Sequence, residues 1–289
     1  MPRTQTEFDM SRLSRALRLA TNALQATVNY PRQTVESLRL HPKMVQGSKF
    51  SGESSFPIPS QSEGSEAEGE NPLLSYFNEN KEGPGIWKWR HYFEIYERYF
   101  RKFVGRPVNV MEVGIFSGGS LPMWRKYFGA DCRVYGVDIE PACEAYRGEG
   151  TEVFIGDQAD RSFWAKVRNA VPKVDILIDD GGHEAEQQRV TLEEMLPHLS
   201  PGGVYLCEDI LGSGNPFAGY LHGLARDLNF AERSEVPNGV AGMASAPSNF
   251  QKAIHSIHFH PFVAVIEKHE RAVRQFVAPR HGTQWQPFL

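Results

Sequence analysis

The sequence predicts an α/β fold built on a doubly wound, mostly parallel sheet of seven strands. From about residue 85 onward, short runs of apolar residues alternate with amphipathic helical patterns. Strands that are buried on both faces show such unbroken apolar runs, and helices between them are typical of parallel strands. The last two runs, within residues 253–269, follow one another with no room for a helix. We therefore expect an antiparallel hairpin at one edge of the sheet.

Five predicted strands precede the hairpin, and each ends in a polar or glycine-rich stretch. They are VNVMEVGI (108–115), CRVYGVDI (132–139), TEVFIGD (151–157), VDILIDD (174–180) and GGVYLCEDI (202–210). Helical patterns follow them at LPMWRKYF, at DRSFWAKVRNAV, from about residue 183 and near residues 216–229. This alternation completes the predicted parallel part of the sheet.

The first 80 residues differ in composition from the rest. Residues 10–28 carry apolar side chains at spacings of three and four, which predicts an amphipathic helix. Residues 46–72 are rich in Ser, Gly, Glu and Pro and contain too few apolar groups to form a core. We therefore divide the chain into a helical N-terminal arm (1–45), a flexible linker or loop (46–80) and an α/β domain (81–289).

The overall composition excludes several classes of protein. The net charge of −4 over 289 residues leaves no basic excess for binding nucleic acid. No apolar run approaches the roughly 20 residues that span a bilayer, and the N-terminus has no apolar signal-peptide core. Cys132, Cys143 and Cys207 form no CxxC pair, which favours free thiols in a reducing compartment. We expect a cytoplasmic protein without a membrane partner.

The ends of the first three strands carry the residue types of an adenosine pocket. Ligands of open parallel sheets bind beyond the carboxyl ends of the strands, near the point where strand order reverses. Glycines there admit a ligand close to the backbone, and an acid after the second strand suits ribose hydroxyls. The candidate cofactor-binding residues are Glu112, Gly114, Ser117, Gly118 and Ser120 at the first end, Asp138 and Ile139 at the second, and Gly156, Asp157 and Gln158 at the third.

Two cofactors fit such a pocket. A nicotinamide dinucleotide requires G-x-G-x-x-G, whose glycines hold the pyrophosphate, and Phe116 stands where the second glycine belongs. S-adenosylmethionine has no phosphate, so the loop around Phe116 does not weaken that alternative. Glycines as turn residues and acids as helix caps would account for any one strand end alone. Three such ends in order argue against that explanation, and the terminal antiparallel hairpin favours a methyltransferase sheet over a dinucleotide-binding fold.

From about Trp87 to Lys268 the sequence resembles the class I S-adenosylmethionine-dependent methyltransferases. Within them it is similar to metal-dependent sugar O-methyltransferases of macrolide and rhamnosyl antibiotic pathways and to the cephalosporin methoxylation protein family. The resemblance rests on KWRHYFEIYERYF, VMEVGIFSGGSLPMW, VYGVDIEP, VFIGDQAD, ILIDDGGH, LSPGGVYLCEDI and FVAVIEK. It implies the Rossmann-like methyltransferase sheet, and it implies that Lys88, His91 or Tyr92 reaches the methionine end of the cofactor.

The fourth and fifth strand ends predict a metal site. Neighbouring strands lie about 4.8 Å apart, so Asp180 and His183 should approach Glu208 and Asp209. Three converging carboxylates repel one another unless a cation or protons neutralise them. Mg²⁺ suits oxygen ligands, whereas zinc would prefer thiolates and more histidines. The resemblance gives the same roles: Asp180, Glu208 and Asp209 hold the metal and His183 is the general base. We expect Asp179 to face the cofactor or to orient the loop. Taken singly, the motif also fits a turn followed by a capped helix.

The predicted function is a Mg²⁺-dependent O-methyltransferase that acts on a hydroxyl of a small molecule, a sugar of a glycoside or natural product. Two alternatives stay open: an NAD-dependent oxidoreductase on a similar sheet and a non-catalytic S-adenosylmethionine-binding scaffold. The N-terminal amphipathic helix and the resemblance favour a homo-oligomer.

Overall fold

The computed structural model describes residues 20–53, 71–234 and 242–284, and the chain divides into two compact units at residues 65 and 66. In the first unit, residues 20–29 are helical and helix α1 spans Pro31–Glu53. The second half of the predicted helix over residues 10–28 is thus confirmed, and its first half lies outside the described residues.

The flexible linker predicted over residues 46–80 is wrong at both of its described ends. Helix α1 continues through Glu53, and a second helix, α2, spans Pro72–Glu79. The side chain of Asn71 accepts hydrogen bonds from the backbone N–H groups of Leu73 and Leu74, which caps α2, and Leu73 is fully buried. The sequence analysis did not predict this short capped helix, because it relied on the average composition of the whole region. The limits of the three predicted parts otherwise stay a prediction.

The second unit contains the predicted seven-stranded sheet, in the order β3-β2-β1-β4-β5-β9-β8. The first five strands pair in parallel, and the last two add antiparallel strands at the edge. The strands are β1 Val108–Val113, β2 Cys132–Asp138, β3 Thr151–Ile155, β4 Val174–Asp179, β5 Leu199–Cys207, β8 Ile254–His260 and β9 Val263–Lys268. The expected fold class and terminal hairpin are confirmed.

Helices cover both faces of the sheet. They are α3 Tyr92–Phe100, α4 Ser120–Phe128, α5 Arg161–Ala170, α6 Ala185–Met195, α7 Pro216–Asp227 and α8 Asn249–Ala253, with shorter 3₁₀ turns at Arg101–Phe103, Pro141–Tyr146 and Leu196–His198. A small antiparallel sheet, absent from the sequence prediction, is formed by β6 Glu232–Ser234, β7 Gly242–Ala246 and β10 Phe276–Pro279.

Two hydrophobic clusters, one on each face of the sheet, hold these layers together. On one face, the ring of Tyr96 stacks on Phe100 and meets Trp124 edge-on at a centroid distance of 5.3 Å. On the other face, Trp164 is buried and its indole N–H donates to the carbonyl of Gln158. Burial on both faces explains why the strands are apolar throughout.

Strand order reverses beside β1, because β2 lies on one side of it and β4 on the other. Loops that leave β1 and β4 therefore open a crevice at the carboxyl end of the sheet. Within the described part of the chain, no helix is both long and apolar enough to cross a membrane.

Candidate active site

A cavity of about 920 Å³ occupies this crevice. The predicted site residues that line it are Lys88, Tyr92, Glu112, Gly114, Ser117, Ser120, Asp138, Ile139, Gly156, Asp157, Gln158, Asp180, His183, Glu208 and Asp209. Gly118 and Asp179 are not on its wall. The five parallel strands thus bring nearly all of the predicted residues to one opening.

The loop after β1 is shaped by two glycines with positive φ. At Gly114, where φ is +82°, an added Cβ would lie 2.0 Å from the carbonyl oxygen of Asp180. At Gly118, where φ is +72°, it would lie 2.7 Å from the ring of Tyr146. The first glycine lets the β1 and β4 loops touch. The second packs the loop on the Tyr146 turn, and the prediction that Gly118 contacts the cofactor stays a prediction.

Glu112 lies at the buried end of the cavity. Its Oε2 accepts hydrogen bonds from Ser120 Oγ at 2.5 Å and from the indole N–H of Trp124 at 3.0 Å. Its Oε1 lies 3.2 Å from Lys88 Nζ, but the angle does not suit a hydrogen bond, and this buried oxygen accepts none from the described residues. A buried carboxylate oxygen with a free lone pair at a cavity wall can receive a hydrogen bond from a ligand ammonium.

The second and third strand ends form another part of the wall. Asp138 accepts the backbone N–H of Phe116 on Oδ2 at 2.9 Å and that of Glu140 on Oδ1 at 3.0 Å. Ile139 is exposed beside it. Asp157 is also exposed, and its Oδ1 accepts the backbone N–H of Ala159. Asp138, the last residue of β2, therefore lines the cavity. It also fixes the loop after β1 by accepting the backbone N–H of Phe116.

Asp179 lies behind the cavity wall and supports the residues that line it. It is buried and accepts hydrogen bonds from Gln158 Nε2 at 3.0 Å and from the hydroxyl of Tyr205 at 2.9 Å. Burial raises the pKa of Asp179 to about 7. Gln158 in turn accepts the backbone N–H of Gly182 at 2.7 Å. This relay holds the glycine turn that precedes His183, which is the loop-orienting role that we had left open for Asp179.

The mouth of the cavity holds an acidic group with a histidine. One ligand atom from each of Asp180, His183 and Asp209 lies within 4.8 Å of the others. His183 Nε2 is 3.6 Å from Asp209 Oδ2, and the His183 side chain is 40% exposed. His183 and Asp209 have φ values of 59° and 55°, a strained conformation for residues other than glycine. The fold therefore imposes local strain to point these two side chains at each other.

Asp209 is held by two aromatic side chains. Its Oδ1 accepts the hydroxyl of Tyr92 at 2.6 Å and the indole N–H of Trp89 at 3.0 Å. Burial and the Asp209 carboxylate raise the pKa of Tyr92, so the hydroxyl stays a donor. His91 turns away and contacts the carbonyl of Pro261 at 3.1 Å. Among the three residues that the resemblance assigns to the methionine end, Lys88 and Tyr92 line the cavity and His91 does not.

Lys88 is buried among carboxylates. Its Nζ lies 2.6 Å from Asp180 Oδ2 and 3.1 Å from Glu208 Oε1. Tyr96 donates to the same Glu208 oxygen at 2.6 Å. Burial alone would lower the pKa of Lys88, but Asp180 and Glu208 raise it well above its ordinary value, so the amine is charged. Burial also raises the pKa of Glu208, as does the Asp180 charge.

Glu208 therefore differs from the other predicted metal ligands. Its side chain is 1% exposed and already bonded to Lys88 and Tyr96, whereas Asp180 and Asp209 are 16% and 22% exposed at the mouth. Asp180 and Asp209 present two carboxylates, which suit a hard divalent cation with open positions for other oxygens, and the His183 imidazole lies beside them. The site thus suits a divalent ion, and Glu208, the third predicted ligand, lines the same cavity at a more buried position.

Several lining residues were missed by the sequence reasoning. Trp89 and Leu211 line the mouth of the cavity and are about half exposed, and Trp87 is 87% exposed. Trp89 packs against Phe262 of the β8–β9 turn at a ring distance of 5.5 Å. The aromatic content of WKWRHYF was the available signal, but it predicted core packing equally well. These residues form an apolar rim beside Asp209.

Residues 111–210 match the family model described as a methyltransferase domain. The chain is 32% identical over 207 residues to an 8-demethyl-8-alpha-L-rhamnosyl tetracenomycin-C 2'-O-methyltransferase of Streptomyces olivaceus, covering 65% of this chain and 53% of that protein. It is 31% identical over 216 residues to a demethylmacrocin O-methyltransferase of Streptomyces fradiae, covering 68% and 52%. The chain spans about half the length of these curated relatives.

Among solved structures, the chain is similar to the MycE methyltransferase of the mycinamycin biosynthetic pathway, which was determined in complex with Mg and SAH. The TM-score is 0.55 at 27% identity, and the match covers 69% of this chain and 54% of MycE. The relatives are thus sugar O-methyltransferases of natural-product pathways, and the expected family resemblance is confirmed.

Proposed function

We propose that this protein, in which residues 111–210 form a methyltransferase domain, is a Mg²⁺-dependent O-methyltransferase that uses S-adenosylmethionine. One observation carries the proposal: Asp180, His183 and Asp209 meet within 4.8 Å at the mouth of a cavity formed by the ends of the five parallel strands. The MycE structure contains Mg and SAH, which supports the same pair of ligands here.

The cofactor end of the cavity fits S-adenosylmethionine. Glu112 Oε1 accepts no hydrogen bond from the described residues, although Lys88 Nζ lies 3.2 Å away, so it offers an acceptor to the ammonium of the amino-acid part; Asp138 and Ile139 would contact the adenosine part. Phe116 has a φ of 46° and is exposed at the position of a glycine in dinucleotide-binding loops. This geometry disfavours the NAD-dependent oxidoreductase, because a pyrophosphate requires close approach to that backbone.

The acid–histidine group fits proton removal from an acceptor hydroxyl. Asp180 and Asp209 would hold the divalent ion, which supplies a lowered pKa to an oxygen bound to it. His183 is exposed at the mouth and would accept the hydroxyl proton as general base. Asp209 Oδ2, 3.6 Å from His183 Nε2, would stabilise the imidazolium that forms. A buried, unreachable histidine could not serve in this way.

The acceptor that we propose is a hydroxyl of a sugar on a glycoside or natural product. The similar proteins are named for methylation of rhamnosyl and macrolide sugars. The exposed faces of Trp87, Trp89 and Leu211 beside Asp209 offer apolar area for the carbon skeleton of such an acceptor. A non-catalytic scaffold would require neither this rim nor a histidine held at strained φ.

Binding and turnover experiments test the proposal. Isothermal titration should show binding of S-adenosylhomocysteine and none of NAD⁺; the reverse result would refute the cofactor. Methyl transfer to a panel of rhamnosyl and macrolide acceptors should disappear in EDTA and return with Mg²⁺. His183→Ala should strongly reduce transfer while leaving S-adenosylhomocysteine affinity unchanged, and a scaffold would keep its function in this variant.

The proposal extends to a cytoplasmic homo-oligomer. Helix α1 has no buried side chain, and apolar residues such as Leu38 and Met44 are 68% and 57% exposed on it. A second copy of the chain is the occupant that we propose for this helix. The three cysteines are free thiols, which supports a reducing compartment. Light scattering of the full chain during size exclusion should give a mass above that of one 32.6 kDa chain.

A further inference from the structure

Lys88 occupies the centre of the acidic end of the cavity. Its ammonium lies 2.6 Å from Asp180, 3.1 Å from Glu208 and 3.2 Å from Glu112, and its side chain is only 3% exposed. These partners follow it in the chain by 24 to 120 residues and come from the ends of β1, β4 and β5. We propose that Lys88 is a positioning residue that acts as an internal counter-cation, substituting in part for the divalent ion at this acidic site.

The charge of the site requires such a cation. Glu112, Asp180 and Glu208 are buried or nearly so, and three carboxylates this close repel one another strongly where water is excluded. Lys88 neutralises one charge and bridges the three strand ends. The site can therefore stay assembled when no divalent ion is bound.

The contact between Lys88 and Asp180 determines how the lysine affects the affinity of the site for a divalent ion. It holds Asp180 by Oδ2, and Asp180 is also one of the three residues whose ligand atoms converge at the mouth. The lysine and a divalent ion thus share a carboxylate, and two cations a few ångströms apart repel each other. Lys88 therefore lowers the affinity of the ion while making the fold less dependent on it.

The neighbouring residue strengthens this assignment. Trp89 donates its indole N–H to Asp209 Oδ1 at 3.0 Å, so consecutive side chains reach the two carboxylates of the proposed ion site. The segment before α3 therefore connects to both acids through side chains of different charge. Lys88 touches the acid that is more buried, and Trp89 touches the one that is more exposed.

Lys88→Met tests the proposal, because it removes the charge and keeps an apolar side chain of similar length. This inference rests on the proposed ion, so Mn²⁺ and Mg²⁺ are titrated calorimetrically into the full chain saturated with S-adenosylhomocysteine. Thermal unfolding is followed in EDTA and with each ion. Lys102→Met is the matched control, because Lys102 pairs with Glu267 at 3.0 Å on another part of the sheet.

We expect Lys88→Met to bind the ion about tenfold more tightly or better, because one nearby positive charge is gone. The melting temperature of Lys88→Met in EDTA should be lower than that of the unchanged protein. Adding the ion should raise the melting temperature of Lys88→Met by more than it raises that of the unchanged protein. Lys102→Met should show neither effect. Equal or weaker ion binding by Lys88→Met would overturn the counter-cation role while leaving the proposed function intact. If neither protein binds the ion, the proposed ion is wrong and this inference falls with it.

Lys88→Gln covers the case in which Lys88→Met does not fold even with the ion. The amide keeps a hydrogen-bond donor for the carboxylates but carries no charge. Tighter ion binding by Lys88→Gln would support the proposal, and unchanged or weaker binding would overturn it.

Discussion

Gly114→Ala is the sharpest test of how the β1 and β4 loops form the site. Gly114 follows β1, its N–H donates to the carbonyl of Val137 at 2.8 Å, and its φ is +82°. The added methyl would lie 2.0 Å from the carbonyl oxygen of Asp180 and 2.8 Å from the Cα of Gly181. Both are backbone atoms, so no side-chain rotation can relieve the overlap. The β4 loop must move as a whole.

The magnitude follows from two contributions. An alanine at a positive φ costs about 1–2 kcal/mol relative to glycine. Overpacking a site that cannot adjust by rotamer changes costs about 1–3 kcal/mol more. Gly114→Ala should therefore lower the free energy of unfolding by roughly 2–5 kcal/mol, a large part of the total of about 5–15 kcal/mol that is usual for a domain. The displacement would also move Asp180, whose backbone N–H donates to Val113 at 3.0 Å.

Urea unfolding at fixed pH measures the change, and calorimetry measures S-adenosylhomocysteine affinity. Gly223→Ala is the matched control: Gly223 lies inside helix α7, is exposed, and has no atom within 4 Å of an added Cβ. There the same substitution should stabilise by about 0.5–1 kcal/mol, because alanine favours a helix over glycine.

The reasoning would be refuted if Gly114→Ala unfolded within about 0.5 kcal/mol of the unchanged protein and bound S-adenosylhomocysteine equally well. Such a result would mean that the two loops do not touch as described. Equal destabilisation by Gly223→Ala would instead show that loss of glycine, and not the contact with Asp180, causes the effect.

Three further predictions concern the acid–histidine group and its support. His183→Ala should reduce turnover by about 10²–10⁴-fold with ion affinity within threefold, measured by methyl transfer and calorimetry; parallel loss of ion binding would make His183 a ligand and not the base. Tyr92→Phe removes the 2.6 Å hydrogen bond to Asp209 and should weaken ion binding by about 10–100-fold, and unchanged affinity would contradict a holding role. Gln158→Leu leaves Asp179 and the Gly182 N–H without this partner and should cost about 2–4 kcal/mol in urea unfolding, with Asn78→Leu at a partly exposed residue of α2 as control.

The strands and their ends were predictable because burial on both faces makes a parallel strand apolar along its whole length. The polar residue that ends such a run, as Asp138 ends β2, therefore marks the carboxyl edge of the sheet. Helix α2 was not predicted, because its eight residues adjoin a stretch rich in Ser, Gly, Glu and Pro. The small sheet of β6, β7 and β10 escaped because its strands have three to five residues and carry too little periodicity.

The site shows a different limit, at two adjacent aspartates. Asp179 is the last residue of β4 and faces Tyr205 and Gln158, whereas Asp180 lies just beyond the strand and meets Lys88. Successive side chains of a strand point to opposite faces, so the sequence predicts that the two aspartates point in different directions. It does not predict how deeply each carboxylate is buried. The burial of each carboxylate depends on which side chains pack around it.

Lys88, which packs against Asp180 and Glu208, comes from a distant part of the chain. Lys88 precedes Asp180 by 92 residues and Glu208 by 120, and no periodicity relates positions so far apart. Three carboxylates at neighbouring strand ends do imply that some cation neutralises them, and the sequence reasoning assigned that whole requirement to a metal. The buried ammonium meets part of it within the protein. The charge left for a divalent ion is therefore set by a lysine in the segment before α3, which makes Lys88 as informative a position for metal dependence as the ligands themselves.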